Sequence, residues 1–335
     1  MFPGNVVLYE KFQYFHLLPA LYVVAELNIA NLLKSGEKSV KLLASESGSD
    51  AESLYRILRA LASQHIFCEG KNRQFSNTRL SKPLIDGEGS LRQVLRHHLG
   101  PLNWQITGEL LATVRTGKDG FNRIFQQDIY DYLSGDQGNS RVFDQSMSEL
   151  SSLGMAPLLQ AYDFSCFNTL ADIGGGEGFL LANILKSYPS IRGILFDLPA
   201  ALGNSQQILL HYDVAERVTR KEGSFLDSVP EGADGYILKN ILHNWDDATC
   251  VNILLSIGKV LPIDGKILIV EMIVPEGNKP SPAKLIDIQM LASMPGGKER
   301  TKKEFEELLH QANLMLIREY ATIAPVSILE ARRNN

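Results

Sequence analysis

The sequence is poor in cysteine. Its three cysteines, Cys68, Cys166 and Cys250, are odd in number, widely spaced and never arranged as C-x-x-C. Disulfide frameworks need paired cysteines and cysteine zinc sites need closely spaced ones, so the sequence indicates neither. We therefore expect no metal, and a reducing cytoplasm as the compartment.

A long apolar run is also missing. No stretch reaches the roughly 18 uninterrupted apolar residues of a membrane-spanning helix. The N-terminal apolar run contains Glu10 and Lys11 and lacks the basic-then-apolar order of a signal peptide. A formal charge of −5 argues against attraction to nucleic acid or to an anionic membrane. We expect a soluble protein with a small ligand.

Low-complexity tracts and internal repeats are absent too, and 44% hydrophobic residues suffice for one large core or two ordinary ones. The pattern changes after Phe167. Before it, apolar residues recur at helical spacing; beyond it, strand and helix alternate. This change predicts two domains with a boundary near 150–165.

The segment 39–78 predicts a winged helix. It reads as a helix, a turn at Gly48, a helix capped near Ser49 or Asp50, and a hairpin turning at Gly70 to Arg73. Winged helices often bind DNA, but residues 1–100 hold 12 Lys or Arg against 9 Asp or Glu. Because the second helix also opens with acidic residues, DNA binding is disfavoured.

The C-terminal half alternates apolar strands with helices, including a helix from about Asp246 to Leu261. A βαβα order predicts an α/β fold with a parallel, doubly wound sheet and helices on both faces. Ligands in such folds bind at the carboxyl ends of the strands.

One of these ends carries a glycine turn, 172-DIGGGEG-178. Glycines allow a close backbone approach to a ligand, and the following helix start offers unpaired N–H groups. Asp197 ends the next strand, where a carboxylate can accept both hydroxyls of a ribose. The glycine spacing is one residue shorter than G-x-G-x-x-G, which favours S-adenosylmethionine over NAD, although such a turn can also be purely structural.

Six motifs together carry a family resemblance. They are 172-DIGGGEG-178, 196-FDLP-199, 223-GSF-225, 238-LKNILHNWDD-247, 270-VEM-272 and 295-PGGKERTKKEFEELLHQANL-314. In this order the chain resembles the plant-type and bacterial small-molecule O-methyltransferases that use S-adenosylmethionine, such as acetylserotonin and caffeate O-methyltransferases. The resemblance implies a winged-helix dimerisation domain at 1–155 and a Rossmann-like, S-adenosylmethionine-binding methyltransferase domain at 156–335, in a homodimer.

The resemblance also implies roles for individual residues. The catalytic residues would be His243 as general base, flanked by Glu271 and Glu299. The cofactor would contact Ser151, Asp172, Gly174, Gly176, Gly178, Asp197, Leu198, Ser224, Phe225 and Lys239. An aromatic acceptor would contact Phe143, Met147, Met290, Met294 and Asn244.

Four positions depart from the family pattern. Ser224 stands where the family usually has Asp, which predicts a weaker or different adenine contact. Asn244 replaces a frequent Asp, Asn240 an aromatic residue, and Met294 a polar residue of plant relatives. The acceptor is therefore not transferable from relatives.

His243 can also be judged without the resemblance. It follows the carboxyl end of one strand, and Glu271 lies in the next strand, so we expect Glu271 to hold one ring nitrogen while the other faces an acceptor hydroxyl. The alternative is a polar residue beside a helix capped by Asp246 or Asp247. Glu299 can likewise be part of a solvated charge run, 298-KERTKKE-304.

Three functions follow. The first is O-methylation of a small, flat phenolic metabolite with His243 as base; the second is N-methylation of a small amine, which needs no strong base. The third is a cofactor-binding protein that does not methylate, either another enzyme or a regulatory dimer.

Overall fold

The fold is given by a computed structural model that describes residues 2–127 and 129–334. Its helices are α1 (Gly4–Glu26), α2 (Ile29–Leu32), α3 (Val40–Ser47), α4 (Ala51–Ser63), α5 (Arg92–His98), α6 (Pro101–Gly108), α7 (Leu110–Thr116), α8 (Gly120–Phe125), α9 (Ile129–Gly135), α10 (Gln137–Leu153), α11 (Met155–Ala161), α12 (Phe179–Ser187), α13 (Ser205–His211), α14 (Asp247–Val260), α15 (Pro282–Ser293) and α16 (Lys302–Gln311). Its strands are β1 (Lys38–Ser39), β2 (Phe67–Glu69), β3 (Gln74–Asn77), β4 (Thr169–Ile173), β5 (Arg192–Asp197), β6 (Val218–Glu222), β7 (Gly235–Lys239), β8 (Lys266–Val274), β9 (Arg300–Thr301), β10 (Leu314–Ala321) and β11 (Val326–Arg333).

The chain divides into two compact units by its internal contacts. The first consists of Met1–Gln105 and Leu133–Ser152, and the second of Ile106–Tyr132 and Leu153–Asn335. The predicted domain limits, 1–155 and 156–335, stay a prediction.

The winged-helix prediction for 39–78 is confirmed. Ser39 caps α3 by accepting from the backbone N–H of Leu42, Gly48 ends that helix at φ +66°, and Asp50 caps α4 by accepting from Ser53. The hairpin of β2 and β3 completes the wing, with β1 pairing to β3. These local signals determined the segment because caps and a left-handed glycine act within one turn of chain.

The second unit is built on a sheet with the order β10-β11-β8-β7-β4-β5-β6, and β9 pairs with β8. Helices α14 and α16 cover one face, and α11, α12 and α13 cover the other. Neighbouring residues of β8 alternate between the two faces, which explains why 266-KILIVEMIV-274 is almost continuously apolar.

The expectation of a parallel sheet holds for β6, β5, β4, β7 and β8 and is wrong for the last two strands. Strand β11 runs antiparallel to both β8 and β10. Because β10 and β11 are joined by only a short loop, they form a hairpin, and a hairpin is antiparallel. The result is a mixed sheet.

No helix among the described residues is long and apolar enough to cross a membrane.

Candidate active site

The carboxyl ends of the parallel strands form one edge of the sheet in the second unit. Strands β5, β4, β7 and β8 lie side by side in that order. They bring to this edge the glycine turn after β4, Asp197 at the end of β5, Lys239 at the end of β7, and Glu271 in β8.

The glycine turn has the backbone that its sequence predicts. Gly174, Gly176 and Gly178 have φ of +70°, +55° and +82°, in the left-handed region where side chains other than glycine are strained. A Cβ on Gly174 would lie 2.5 Å from Cδ1 of Ile241. A Cβ on Gly176 would meet nothing within 4 Å, so open space lies beside that part of the turn.

Asp197 is fixed against this turn. Its Oδ2 accepts the backbone N–H of Gly176 at 2.8 Å and its Oδ1 accepts that of Leu198 at 2.7 Å. Burial raises the pKa of the carboxyl, and these two bonds oppose the rise. Three of the predicted cofactor residues therefore lie in direct contact.

Asp172 is a buried carboxyl beside the same turn, and Lys239 is a half-buried ammonium near it. Asp172 is 2% exposed, and its Oδ2 has no hydrogen-bond partner among the described residues. Burial raises its pKa to about 7 against the opposing charge of Lys239. Burial also lowers the pKa of Lys239, although Asp172 and Glu271 favour its charged form. An unpaired buried oxygen is costly, which fits a site that receives a polar ligand group.

Phe225 lies near the glycine turn, and Ser224 stabilises its own loop. Cε1 of Phe225 would be 3.3 Å from a Cβ on Gly174, and its ring meets Trp245 edge-on at 6.1 Å. The hydroxyl of Ser224 accepts the backbone N–H of Leu226 at 3.2 Å.

His243 lies on a short 3₁₀ helix, Leu242–Asn244, between β7 and α14. Asp246 caps α14 by accepting from Thr249, as the sequence allowed. Asn240, at φ +54°, accepts from Nδ2 of Asn244 through its carbonyl at 3.2 Å. Asn244 therefore stabilises the histidine turn, and its predicted acceptor contact stays a prediction.

The ring of His243 contacts two buried carboxylates. Nδ1 lies 2.8 Å from Oε1 of Glu299 and 3.7 Å from Oε2 of Glu271. The His243 side chain is 18% exposed, against 0% for Glu271 and 1% for Glu299, so only the imidazole reaches the surface of the site.

One detail of the sequence analysis needs correction, because Glu299 and not Glu271 is hydrogen-bonded to the ring. Glu271 instead accepts the backbone N–H groups of Leu242 at 2.9 Å and His243 at 3.4 Å through Oε1. Glu299 is 5% exposed, so it does not belong to a solvated charge run.

The two carboxylates change the titration of the imidazole. Burial lowers the pKa of His243, but the charge of Glu271 and the hydrogen bond and charge of Glu299 outweigh burial, and the pKa is raised above its ordinary value. Burial raises the pKa of Glu271 as well. Among the described residues, Oε2 of Glu271 and Oε2 of Glu299 are buried without a hydrogen-bond partner.

The same three side chains offer nitrogen and oxygen atoms that lie within 4.8 Å of one another, close enough for shared metal ligation. The 2.8 Å between Nδ1 and Oε1 of Glu299 is a hydrogen-bond distance, so one shared proton satisfies that contact without an ion.

The predicted acceptor residues fall in two places. Met290 is buried in α15, and Met294 follows the end of that helix in the second unit. Phe143, Met147 and Ser151 lie on α10, in the first unit, where Phe143 meets the ring of His97 at 5.2 Å. Their predicted contacts with acceptor and cofactor stay predictions.

Two residues of the site were missed by the sequence analysis. Asp287 on α15 accepts the backbone N–H of Glu299 at 2.9 Å, and Arg300 is fully buried behind the histidine turn. In the sequence, Arg300 is only one more charge in 298-KERTKKE-304, next to Glu299. No local pattern marks Asp287.

Known proteins match the chain over both units. Residues 107–314 match the O-methyltransferase domain, and residues 9–87 match the O-methyltransferase dimerisation domain. The phenazine O-methyltransferase PhzM of Lysobacter antibioticus is 35% identical over 98% of this chain and 96% of its own length. The chain belongs to the S-adenosylmethionine-dependent O-methyltransferase family.

Other members of this family extend the comparison. The crystal structure of LaPhzM aligns with 99% of this chain and with 100% of its own chain, with a TM-score of 0.94 at 35% sequence identity. NcsB1, an O-methyltransferase from neocarzinostatin biosynthesis, was crystallised with S-adenosylmethionine and 2-hydroxy-5-methyl naphthoic acid. It covers 95% of this chain and 96% of its own, with a TM-score of 0.80 at 29% identity.

An 8-amino-8-demethylriboflavin N,N-dimethyltransferase of Streptomyces davaonensis is 31% identical over 89% of this chain and 86% of its own length. The family thus includes enzymes whose acceptor atom is nitrogen. The methyltransferase uses S-adenosylmethionine as its methyl donor, and the hypothesis of a protein that does not methylate is set aside.

Proposed function

We propose that the enzyme methylates a hydroxyl group of a small aromatic metabolite, with His243 as the general base. The observation that carries the proposal is the contact between His243 and Glu299, which leaves an imidazole with a raised pKa partly exposed at the edge of the sheet that carries the glycine turn. Glu299 fixes the ring through Nδ1, and Nε2 is then the nitrogen that takes the proton.

The residues of the glycine turn suit the methyl donor. Gly174, Gly176 and Gly178 would lie along it, Asp197 and Leu198 beside its ribose, and Phe225 and Ser224 beside its adenine. The unpartnered Oδ2 of Asp172 and the Lys239 ammonium would receive its charged amino-acid groups, with Ser151 as a further polar contact. When bound, S-adenosylmethionine supplies a methyl group on a positively charged sulfur.

The base must remove a proton from a weak acid. A phenol with a pKa of ~10 facing an ordinary imidazole at ~6.5 is mismatched by about 5 kcal/mol. The carboxylates of Glu299 and Glu271 raise the pKa of His243 and so narrow this gap. We infer that the proton leaves the acceptor as the methyl group arrives, with no free phenolate beforehand.

A flat aromatic acceptor fits the residues assigned to the acceptor side. Met290 lies in α15, and Met294 directly follows that helix. Methionine side chains are flexible and pack favourably against aromatic rings. Phe143, Met147 and Asn244 would complete the contacts. PhzM is a phenazine O-methyltransferase and NcsB1 was crystallised with a naphthoic acid, both of which support an aromatic acceptor.

Methylation of an amine is the second candidate, and the N,N-dimethyltransferase among the relatives favours it. A neutral amine is already nucleophilic, so proximity and orientation suffice and His243 would not be essential.

Transfer of labelled methyl groups from S-adenosylmethionine to matched phenols and anilines tests the proposal. We expect labelled ethers from at least one class of phenol, and loss of that product in His243→Ala. Absence of turnover on every phenol, or full activity of His243→Ala on an accepted phenol, contradicts it. Anilines methylated equally well by both forms would establish the second candidate.

We also propose a homodimer formed through the N-terminal domain, 1–155, in a reducing cytoplasm. Helix α1 exposes a long apolar surface, with Phe12, Tyr14 and Phe15 all more than half exposed. Exposed apolar patches of this kind mark protein interfaces. Light scattering should report a dimer at micromolar concentration, and Phe12→Glu with Phe15→Glu should shift it towards the monomer; a wild-type monomer contradicts the proposal.

A further inference from the structure

We propose that Arg300 is a positioning residue that fixes the turn on which His243 lies. The inference rests on the proposed role of His243 as base. It adds a residue that touches neither the ring nor, by our assignment, the acceptor or the methyl donor.

The guanidinium of Arg300 is fully buried and bonds to the backbone on both sides of His243. Nη1 donates to the carbonyl of Leu242 at 2.9 Å, and Nη2 donates to the carbonyl of Trp245 at 2.7 Å. Nε and Nη2 both donate to Oδ1 of Asp247, at 3.0 and 2.8 Å. One planar group thus spans the turn and is itself oriented by a carboxylate.

The opposite side of the turn is held by other groups. Oε1 of Glu271 accepts the backbone N–H groups of Leu242 and His243. The carbonyl of His243 accepts the backbone N–H of Lys298 at 2.9 Å. The position of the imidazole therefore depends on Glu271 from one side and on Arg300 from the other.

Arg300 is also the direct neighbour of the residue that holds the ring. Glu299 bonds to the imidazole, and Arg300 bonds to the backbone that carries it. Arg300 is in turn fixed to β8, because β9 pairs with that strand at Ile273. Two adjacent residues in one short segment thus set both the orientation and the location of the base.

Arginine is needed for this arrangement because its N–H donors point in fixed, coplanar directions. The ammonium of a lysine is a single point and cannot span the carbonyls of Leu242 and Trp245 while keeping Asp247. Arg300→Lys should therefore preserve the buried charge but release the turn.

The test uses the dependence on acceptor acidity. Displacement of the base should lower the rate of methyl transfer strongly for an ordinary phenol. The rate for a nitrophenol should fall little, because a more acidic phenol loses its proton more easily. We expect Arg300→Lys to lower kcat/KM about tenfold to a hundredfold for an accepted phenol and much less for its nitro derivative. Affinity for S-adenosylhomocysteine, measured by calorimetry, should stay at the wild-type value.

Arg217 provides a matched control. Its guanidinium donates to three backbone carbonyls, those of Leu185, Tyr188 and Ile191, but supports the end of α12 instead of the histidine turn. Arg217→Lys should lower thermal stability and change kcat/KM for both acceptors equally, if at all.

The proposal is overturned if Arg300→Lys changes kcat/KM by the same factor for the two acceptors, or leaves kcat/KM unchanged for both. Should that variant fail to fold, Asp247→Asn replaces it, since the Asp247 side chain is 54% exposed and its change only weakens the hold on Arg300. Asp247→Asn should lower kcat/KM more for the phenol than for its nitro derivative, by a smaller factor than Arg300→Lys. An equal loss of kcat/KM for both acceptors overturns the proposal. His243→Ala separates the two ideas: if its loss does not depend on acceptor acidity, the proposed base itself is wrong.

Discussion

Two buried clusters of ionisable side chains lie at opposite edges of the same sheet. At the carboxyl ends of the parallel strands, His243 contacts Glu299 and lies near Glu271. Near the amino end of β8, Glu330 accepts from Tyr162 at 2.9 Å and from Lys266 at 3.4 Å. In both clusters, the carboxylates contact polar side chains and are at most 5% exposed.

The clusters differ in how completely their carboxylates are bonded. Oε2 of Glu330 accepts from three side chains, the third being Tyr320, and Oε1 accepts from Arg332 at 3.4 Å. In the part of the chain that the structure describes, Glu271 and Glu299 each keep one buried oxygen without a partner. Unpaired buried oxygens cost free energy, so those of Glu271 and Glu299 support the proposed binding of a ligand at their edge. The unpaired buried atom beside Glu330 is a nitrogen, Nε of Arg332.

The largest expected effect is at the edge of the sheet that carries His243. His243→Ala should lower kcat/KM for a phenolic acceptor by about 10²–10⁴-fold, the contribution of a positioned general base. Steady-state kinetics with labelled methyl donor measures this, and a thermal midpoint close to that of the wild type shows that the fold is intact. A loss of kcat/KM smaller than tenfold would contradict the proposal that the edge with His243, and not the edge with Glu330, serves the reaction.

At the opposite edge, substitution of Glu330 should lower the free energy of unfolding and leave the activity intact. Glu330→Leu removes the carboxylate that accepts from the hydroxyls of Tyr162 and Tyr320 and from the ammonium of Lys266, and should cost about 1–3 kcal/mol in the free energy of unfolding. Denaturant titration measures this cost, with kcat/KM expected at its wild-type value. Glu330→Gln, which keeps one acceptor oxygen, should lose less. A collapse of activity in a folded Glu330→Leu protein would show that this cluster also serves catalysis.

A change of charge beside the base should move the pH dependence. Because Glu299 helps to raise the pKa of His243, Glu299→Gln lowers that pKa, and the acid limb of kcat/KM moves to lower pH. The plateau should fall about tenfold, since the ring remains but is less well fixed. A profile of kcat/KM between pH 5 and 9 measures both effects. An acid limb that stays in place would mean that His243 does not control it.

The smallest effect compares two strained positions. Asn240, which precedes the His243 turn, and Asp213, which precedes β6, have φ of +54° and +59°. Replacing either by Ala should cost about 1 kcal/mol, because the left-handed region is unfavourable for a residue with an ordinary Cβ. Only Asn240→Ala should also lower kcat/KM, since Asn240 precedes the histidine turn. Equal activity of the two variants would contradict this assignment.

Local signals explain what could be predicted from the sequence. The cap at Asp50, the turn at Gly48, the glycine turn at 174–178 and Asp197 at a strand end all act over a few residues. The strand ends also predict that His243 and Glu271 meet at one edge, as they do.

Long-range pairing could not be read in the same way. Helices α14 and α15 and strand β8 separate Glu299 from His243 along the chain, and no periodicity relates positions 56 residues apart. Arg300 looks like one charge in 298-KERTKKE-304 because burial of a charge depends on acceptors brought by other segments. The hairpin of β10 and β11 was missed because charged residues interrupt the apolar pattern of both strands, in the edge strand β10 and in β11 beside it.

Titration of His243 by ¹⁵N NMR in histidine-labelled protein, assigned with His243→Gln, tests the account most directly. We predict a midpoint above 6.5 and a neutral form protonated on Nδ1, because that nitrogen donates to Glu299. A midpoint at or below 6.5, or a neutral form protonated on Nε2, would contradict the assignment of His243 as a base held by Glu299.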